Sequence, residues 1–167
     1  MFSKLFRRKP RYDAKNEVSD LQDGRIALDG GLKLEASLTE ATLLTAMANE
    51  TKSLVHNGVH RSYLLPKTTL NGRKFRPSVY FSDGLITSIQ LTWADPDSEG
   101  GSAWENFSFE RERSIAKANA KWLAGMMGGV GSTTATYTFP WGSIWSGLDE
   151  RGGFACVFIR YDRPSAH

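Results

Sequence analysis

Residues 154–161, FACVFIRY, constrain the fold of this chain more than any other stretch. In an extended strand Val157, Ile159 and Tyr161 point to one side, and Phe154, Cys156 and Phe158 to the other. A strand that is apolar on both sides belongs at the centre of a sheet. It is expected with a helix on one face and aromatic side chains on the other.

A second segment, FSDGLITSIQLTW at 81–93, reads as a hairpin. Asp83-Gly84 suits a type I′ turn, because both residues tolerate positive φ. Beyond it Leu85, Ile89, Leu91 and Trp93 recur at period two, with Ser88, Gln90 and Thr92 opposite, so one face is buried and one is wet. Further strands are expected around Tyr63-Leu64-Leu65, Phe75 and Val79-Tyr80-Phe81. Ile26 and Leu28 face Leu32 and Leu34 across Asp29-Gly30-Gly31, a smaller hairpin.

Two helices interrupt the strands. Ser37-Leu38-Thr39-Glu40 has the form of a capping box, with Ser37 as N-cap and Glu40 reaching back. It predicts a helix that buries Leu44, Met47 and Ala48 and stops at Asn57-Gly58. From about 108 to 127, Ile115, Ala118, Trp122 and Met126 recur three and four apart, and Gly128-Gly129 ends the run. The expected architecture is α+β: a single domain over 18–167, with two helices packed on one face of a largely antiparallel sheet and a closing C-terminal hairpin.

The charge is unevenly placed. The net charge is +3, yet residues 1–16 carry six basic residues against one acidic one, so the remainder is slightly acidic. A nucleic-acid partner is therefore not expected, since phosphate attraction needs a basic face on the folded body. The arm at 1–17 mixes Phe2, Lys4, Phe6, Arg7, Arg8 and Lys9. That is a small interfacial pattern that would give a weak hold on an anionic membrane surface. No apolar run is long enough to span a bilayer, and no signal-type apolar stretch opens the chain. With one cysteine and no internal disulfide, the chain reads as cytoplasmic, with the inner face of the membrane as the alternative.

Motifs for chemistry do not assemble. His56 and His60 are four apart but lack the glutamate of a zinc-protease helix. Cys156 sits in an apolar strand, where burial keeps a thiol inert. The GMMGGVGST segment at 125–133 lacks the lysine of a phosphate loop and follows a helix instead of opening one. Asp95, Asp97 and Glu99 begin like a calcium loop, but the twelfth position is Asn106, not glutamate. No cofactor, metal or catalytic residue is expected.

Between Pro140 and Gly153 the chain places Trp141, Trp145, Asp149, Glu150 and Arg151. Pro140 marks an edge or an interruption, and Trp141-Gly142 suggests a bulge. Aromatic, acidic and arginine residues together have the composition of a protein-interface hot spot. The partner-contact candidates are Trp145, Asp149 and Arg151, with Asp95, Asp97 and Glu99 as a second, acidic patch.

On FSDGLITSIQLTW, the KWLAGMMG helix end and the closing YTFPWGSIWSGLDERGGFACVFIRY, the chain resembles small bacterial immunity proteins of polymorphic-toxin systems, contact-dependent or type VI. The resemblance covers about half the chain and carries over no functional residue. It implies a non-enzymatic protein that binds a cognate toxin domain, covering its active site or blocking its assembly.

Overall fold

The computed structural model describes residues 21–94, 107–128, 135–149 and 151–163. The arm at 1–17, with Phe2, Lys4, Phe6, Arg7, Arg8 and Lys9, lies outside them, as does the acidic loop with Asp95, Asp97 and Glu99. Among the described residues no helix is long and apolar enough to cross a membrane.

The architecture is α+β. Strands β1 (Ile26–Ala27) and β2 (Lys33–Leu34) form the small N-terminal hairpin. An eight-stranded antiparallel sheet follows, made of β3 (Lys52–Asn57), β4 (His60–Leu64), β5 (Thr68–Leu70), β6 (Arg73–Ser82), β7 (Leu85–Trp93), β8 (Thr136–Phe139), β9 (Gly142–Leu148) and β10 (Ala155–Tyr161). Its order is β3-β4-β6-β7-β10-β9-β8, with β5 also paired to β6. The doubly apolar strand β10 thus lies inside the sheet, between β7 and β9.

Asp83 and Gly84 take φ of 54° and 76°, as a type I′ turn requires. A bulge between Tyr80 and Phe81 then shifts the register, pairing Phe81 with Ile86 and Ser82 with Leu85. Leu85, expected inside, is therefore 46% exposed, while Ile86 is buried. A bulge changes which alternate residues face the core, and hydrophobic period alone cannot reveal its phase.

The first helix differs from expectation at both ends. Helix α1 spans Glu40–Ala46 and is capped by Thr39, whose hydroxyl accepts from the Thr42 N–H at 3.1 Å. Ser37 instead bonds Glu35. The start is displaced because Leu38 is drawn against the sheet, its carbonyl accepting from the Ile86 N–H at 3.1 Å. Leu43 is the fully buried residue; Leu44 and Met47 pack only partly, and Ala48 is exposed. The chain then pairs as β3, and Asn57-Gly58 serves as the bend of the β3–β4 hairpin instead of a helix stop.

Helix α2 spans Phe109–Met127, with Ser108 as N-cap and Gly128 ending it in the left-handed conformation. Its buried residues are Asn119, Leu123, Met126 and Met127, while Ile115, Ala118 and Trp122 are only partly covered. Both helices and the β1–β2 hairpin pack on the side of the sheet that carries Phe75, Val79, Ile89, Leu91, Ile144, Val157 and Ile159, all fully buried.

Candidate functional site

Strand register assigns the opposite side chains to the other face of the sheet. Leu64, Ser78, Gln90, Phe158, Trp145 and Thr136 are successive partners across six strands, so they form one continuous rung. The neighbouring rung runs Ser62, Tyr80, Ser88, Arg160, Ser143 and Thr138. Among the described residues no helix packs on this face. Tyr80, Gln90, Phe158 and Trp145 are each half-buried, whereas Arg160 and Arg76 are exposed.

Each aromatic on this face is positioned by its neighbours. The Tyr80 hydroxyl donates to Gln90 Oε1 at 2.8 Å. The Trp145 indole lies over Gly147, where a Cβ would come within 2.7 Å of its Cζ2. The glycine thus lets the indole lie along the strand, and Phe158 stands directly opposite it on β10. Between them the face offers aromatic area, one amide and several hydroxyls, and the buried Ser62 hydroxyl has no hydrogen-bond partner.

Two ionisable groups of this face, Cys156 and Tyr80, are held neutral. Burial pushes the Cys156 thiol up to about 11; the Asp149 charge adds to this and a hydrogen bond from Gln90 opposes it. Burial likewise raises Tyr80, helped by Cys156 and Asp149. Neither group ionises near neutral pH, so the chemistry offered is contact and hydrogen bonding, with no thiolate.

The structure brings part of the expected contact set together. Trp145 lies on β9, one strand in from the edge strand β8, and Asp149 follows the end of β9 at the rim of the face. The Asp149 carboxylate accepts the Arg151 N–H at 3.0 Å, and its backbone closes the turn with Phe154 and Gly153 at 2.8 and 2.7 Å. Arg151 is exposed in that turn.

Trp141, by contrast, is structural. It sits with Pro140 in the tight β8–β9 turn, so the expected bulge is a hairpin bend. It stacks on Phe139 at 5.0 Å and donates its indole N–H to the Gln22 carbonyl at 2.8 Å. Tyr80, Gln90 and Phe158 belong to the face but were not expected as contacts. The available signal was the Ser88, Gln90, Thr92 alternation, which marks a wet face that Phe158 must share once β10 pairs with β7.

His56 pairs with Arg61, and His60 with Asn57, so the two histidines alternate to opposite faces of a hairpin instead of sharing a helix end. Among the described residues, no three of His, Cys, Asp and Glu gather as a metal site would require. In comparisons with known proteins, the chain matches no family model, no curated protein and no solved structure.

Proposed function

We propose that this chain is a non-enzymatic protein-binding domain, and that its partner is a toxin domain it neutralises by docking through the open sheet face. The observation that carries the reading is the rung in which Trp145, Phe158 and Gln90 stand side by side, with Tyr80 bonded to Gln90. Large aromatics beside hydrogen-bonding groups make an efficient hot spot: rigid rings lose little entropy on docking, and the polar groups fix orientation. Asp149 and Arg151 stand at the rim, where charges steer association more than they add affinity.

The test is to look for a toxin domain encoded beside this gene, co-express it with this chain and measure affinity on the purified pair. The wild-type chain is expected to protect the cell. Trp145→Ala and Tyr80→Ala are each expected to weaken binding by about 1–3 kcal/mol, with thermal unfolding still cooperative. Asp149→Ala and Arg151→Ala should chiefly slow association in low salt. Absence of protection by the wild type would remove the immunity reading. Protection and affinity unchanged in a Tyr80→Ala/Trp145→Ala double variant would remove the open face as its surface.

A further inference from the structure

Helix α2 buries one side against the sheet and turns the other to solvent. Asn119, Leu123, Met126 and Met127 are buried, and Glu112 is engaged by the sheet, its carboxylate accepting the Ala155 N–H at 2.8 Å. Phe109, Arg113, Lys117 and Lys121 recur every four residues along the outer side, and all four are exposed. Steps of four keep side chains on one helix face, about 6 Å apart. Phe109 is 63% exposed, the most of any large hydrophobic among the described residues.

Neither helix stability nor ion pairing accounts for this stripe. Like charges four apart repel along a helix, and a cation is favoured in the last turn, where α2 has none. Among the described residues no acid pairs with Arg113, Lys117 or Lys121. Glu110, in the first turn, is the helix's one exposed acid. The N-terminal arm is tethered at the far end of the same helix. Gln22 donates its side-chain amide to the Met127 and Met126 carbonyls at 3.1 and 3.4 Å. Residue 17 is four residues from Leu21, at most about 14 Å of extended chain. The arm's six basic residues and one acid, with Phe2, Leu5 and Phe6 among them, thus attach where the stripe ends.

We propose that the outer face of α2 seats this protein on an anionic phospholipid bilayer. Arg113, Lys117 and Lys121 lie among the headgroups, Phe109 reaches the acyl boundary, and the arm is a second attachment. A plane of phosphates and carboxylates complements a straight row of cations, and each cation near it gains about fivefold in partitioning. The aromatics favour lipid over nucleic acid: Phe109, Phe2 and Phe6 bury apolar area at a bilayer interface, whereas contact with phosphodiesters uses the cations alone. Two weak attachments on one chain give a hold that neither gives separately. The face of the sheet that neither helix covers then looks away from the bilayer, so the seating does not depend on what docks there.

The experiment floats the full-length chain with vesicles of phosphatidylcholine plus phosphatidylserine, against phosphatidylcholine alone and against a single-stranded oligonucleotide. Binding to the anionic vesicles only, weakening as salt rises, is the expected result. Arg113→Gln/Lys117→Gln/Lys121→Gln keeps good helix formers at exposed positions, so it should melt as the wild type does and partition about a hundredfold less. Phe109→Ser should lose about fivefold or more, by an amount that salt does not change. Cys156 is buried, so Ala124→Cys on the stripe's face and Thr138→Cys on the far face each offer one accessible thiol for a polarity-sensitive dye. Anionic vesicles should shift the dye at 124 to the blue and leave the dye at 138 unchanged. A wild-type chain that ignores anionic vesicles overturns the proposal, as does the reverse pattern of dye shifts. So does a triple variant that binds vesicles as the wild type does, or one that loses only the oligonucleotide. If vesicles are bound only after Asp95→Asn/Asp97→Asn/Glu99→Gln, the stripe serves this chain's own acidic loop and the proposal fails.

Discussion

Phe158 on β10 and Trp145 on β9 stand directly opposite each other on the face of the sheet that neither helix covers. Their neighbours on the same strands, Ile159 and Ile144, are likewise opposite each other and fully buried on the other side. One pair of strands therefore carries an aromatic pair on one face and a core on the other, within one residue of each other. Substitutions can separate the two roles.

Ile159→Ala is expected to cost about 2–5 kcal/mol in urea unfolding, as a cavity in a packed core does. Phe158→Ala, half-buried on the other face, should cost less, about 1–3 kcal/mol, since part of its ring keeps its contact with water. A Phe158→Ala cost equal to that of Ile159→Ala would mean that the face is covered.

Gly142 opens β9 with φ of 151°, and a Cβ there would lie 2.0 Å from the carbonyl oxygen of Arg160. Neither the dihedral nor the space admits a side chain, so Gly142→Ala should cost about 3 kcal/mol or more. Gly31 has φ of 92° but nothing within 4 Å. Gly31→Ala should cost about 1–2 kcal/mol, from the backbone alone. Denaturation of the two variants side by side checks the ranking.

Burial raises the Cys156 thiol from 9.0 to about 11 in the folded chain. The folded state therefore keeps its proton at pH values where the unfolded chain releases it. The sign follows: stability tied to Cys156 is fully present below pH 9 and is lost as pH rises from about 9 to 11. Tyrosines also titrate in that range, so the measurement is the melting temperature of wild type minus that of Cys156→Ala from pH 8 to 11. This difference should fall with rising pH; a flat difference would contradict the buried thiol.

The Tyr161 hydroxyl donates to the Gly24 carbonyl at 2.8 Å, joining the last strand to the N-terminal segment. Tyr161→Phe leaves that carbonyl without its donor and should cost about 1–3 kcal/mol. Gln22 adds a second tie, its side chain donating to the Met127 carbonyl at 3.1 Å at the end of α2. Deletion of 1–16 should thus leave the melting temperature within a few degrees, whereas deletion of 1–24 should abolish cooperative unfolding. If loss of 1–16 also abolishes it, the aromatic arm is part of the core. Sedimentation of the full-length and shortened chains with anionic vesicles separately tests the arm's membrane contact.

What the sequence determined by itself was local. The Asp83-Gly84 turn, the caps of α2 and the central place of FACVFIRY follow from backbone φ preferences, capping groups and period-two burial, which act between near neighbours. Of the proposed contact set, Trp145, Asp149 and Arg151 could be named from the sequence, because aromatic and charged residues cluster there. Tertiary pairing decided the rest. The Ile86–Leu38 hydrogen bond moved the α1 cap from Ser37 to Thr39, and pairing with β4 turned 52–57 from helix into strand. The Tyr80–Phe81 bulge exposed Leu85, and strand order set Tyr80, Gln90, Phe158 and Trp145 on one face. These outcomes depend on hydrogen bonds between residues far apart in the chain, and a ladder's register and its covered side exist only once the partner strands have met.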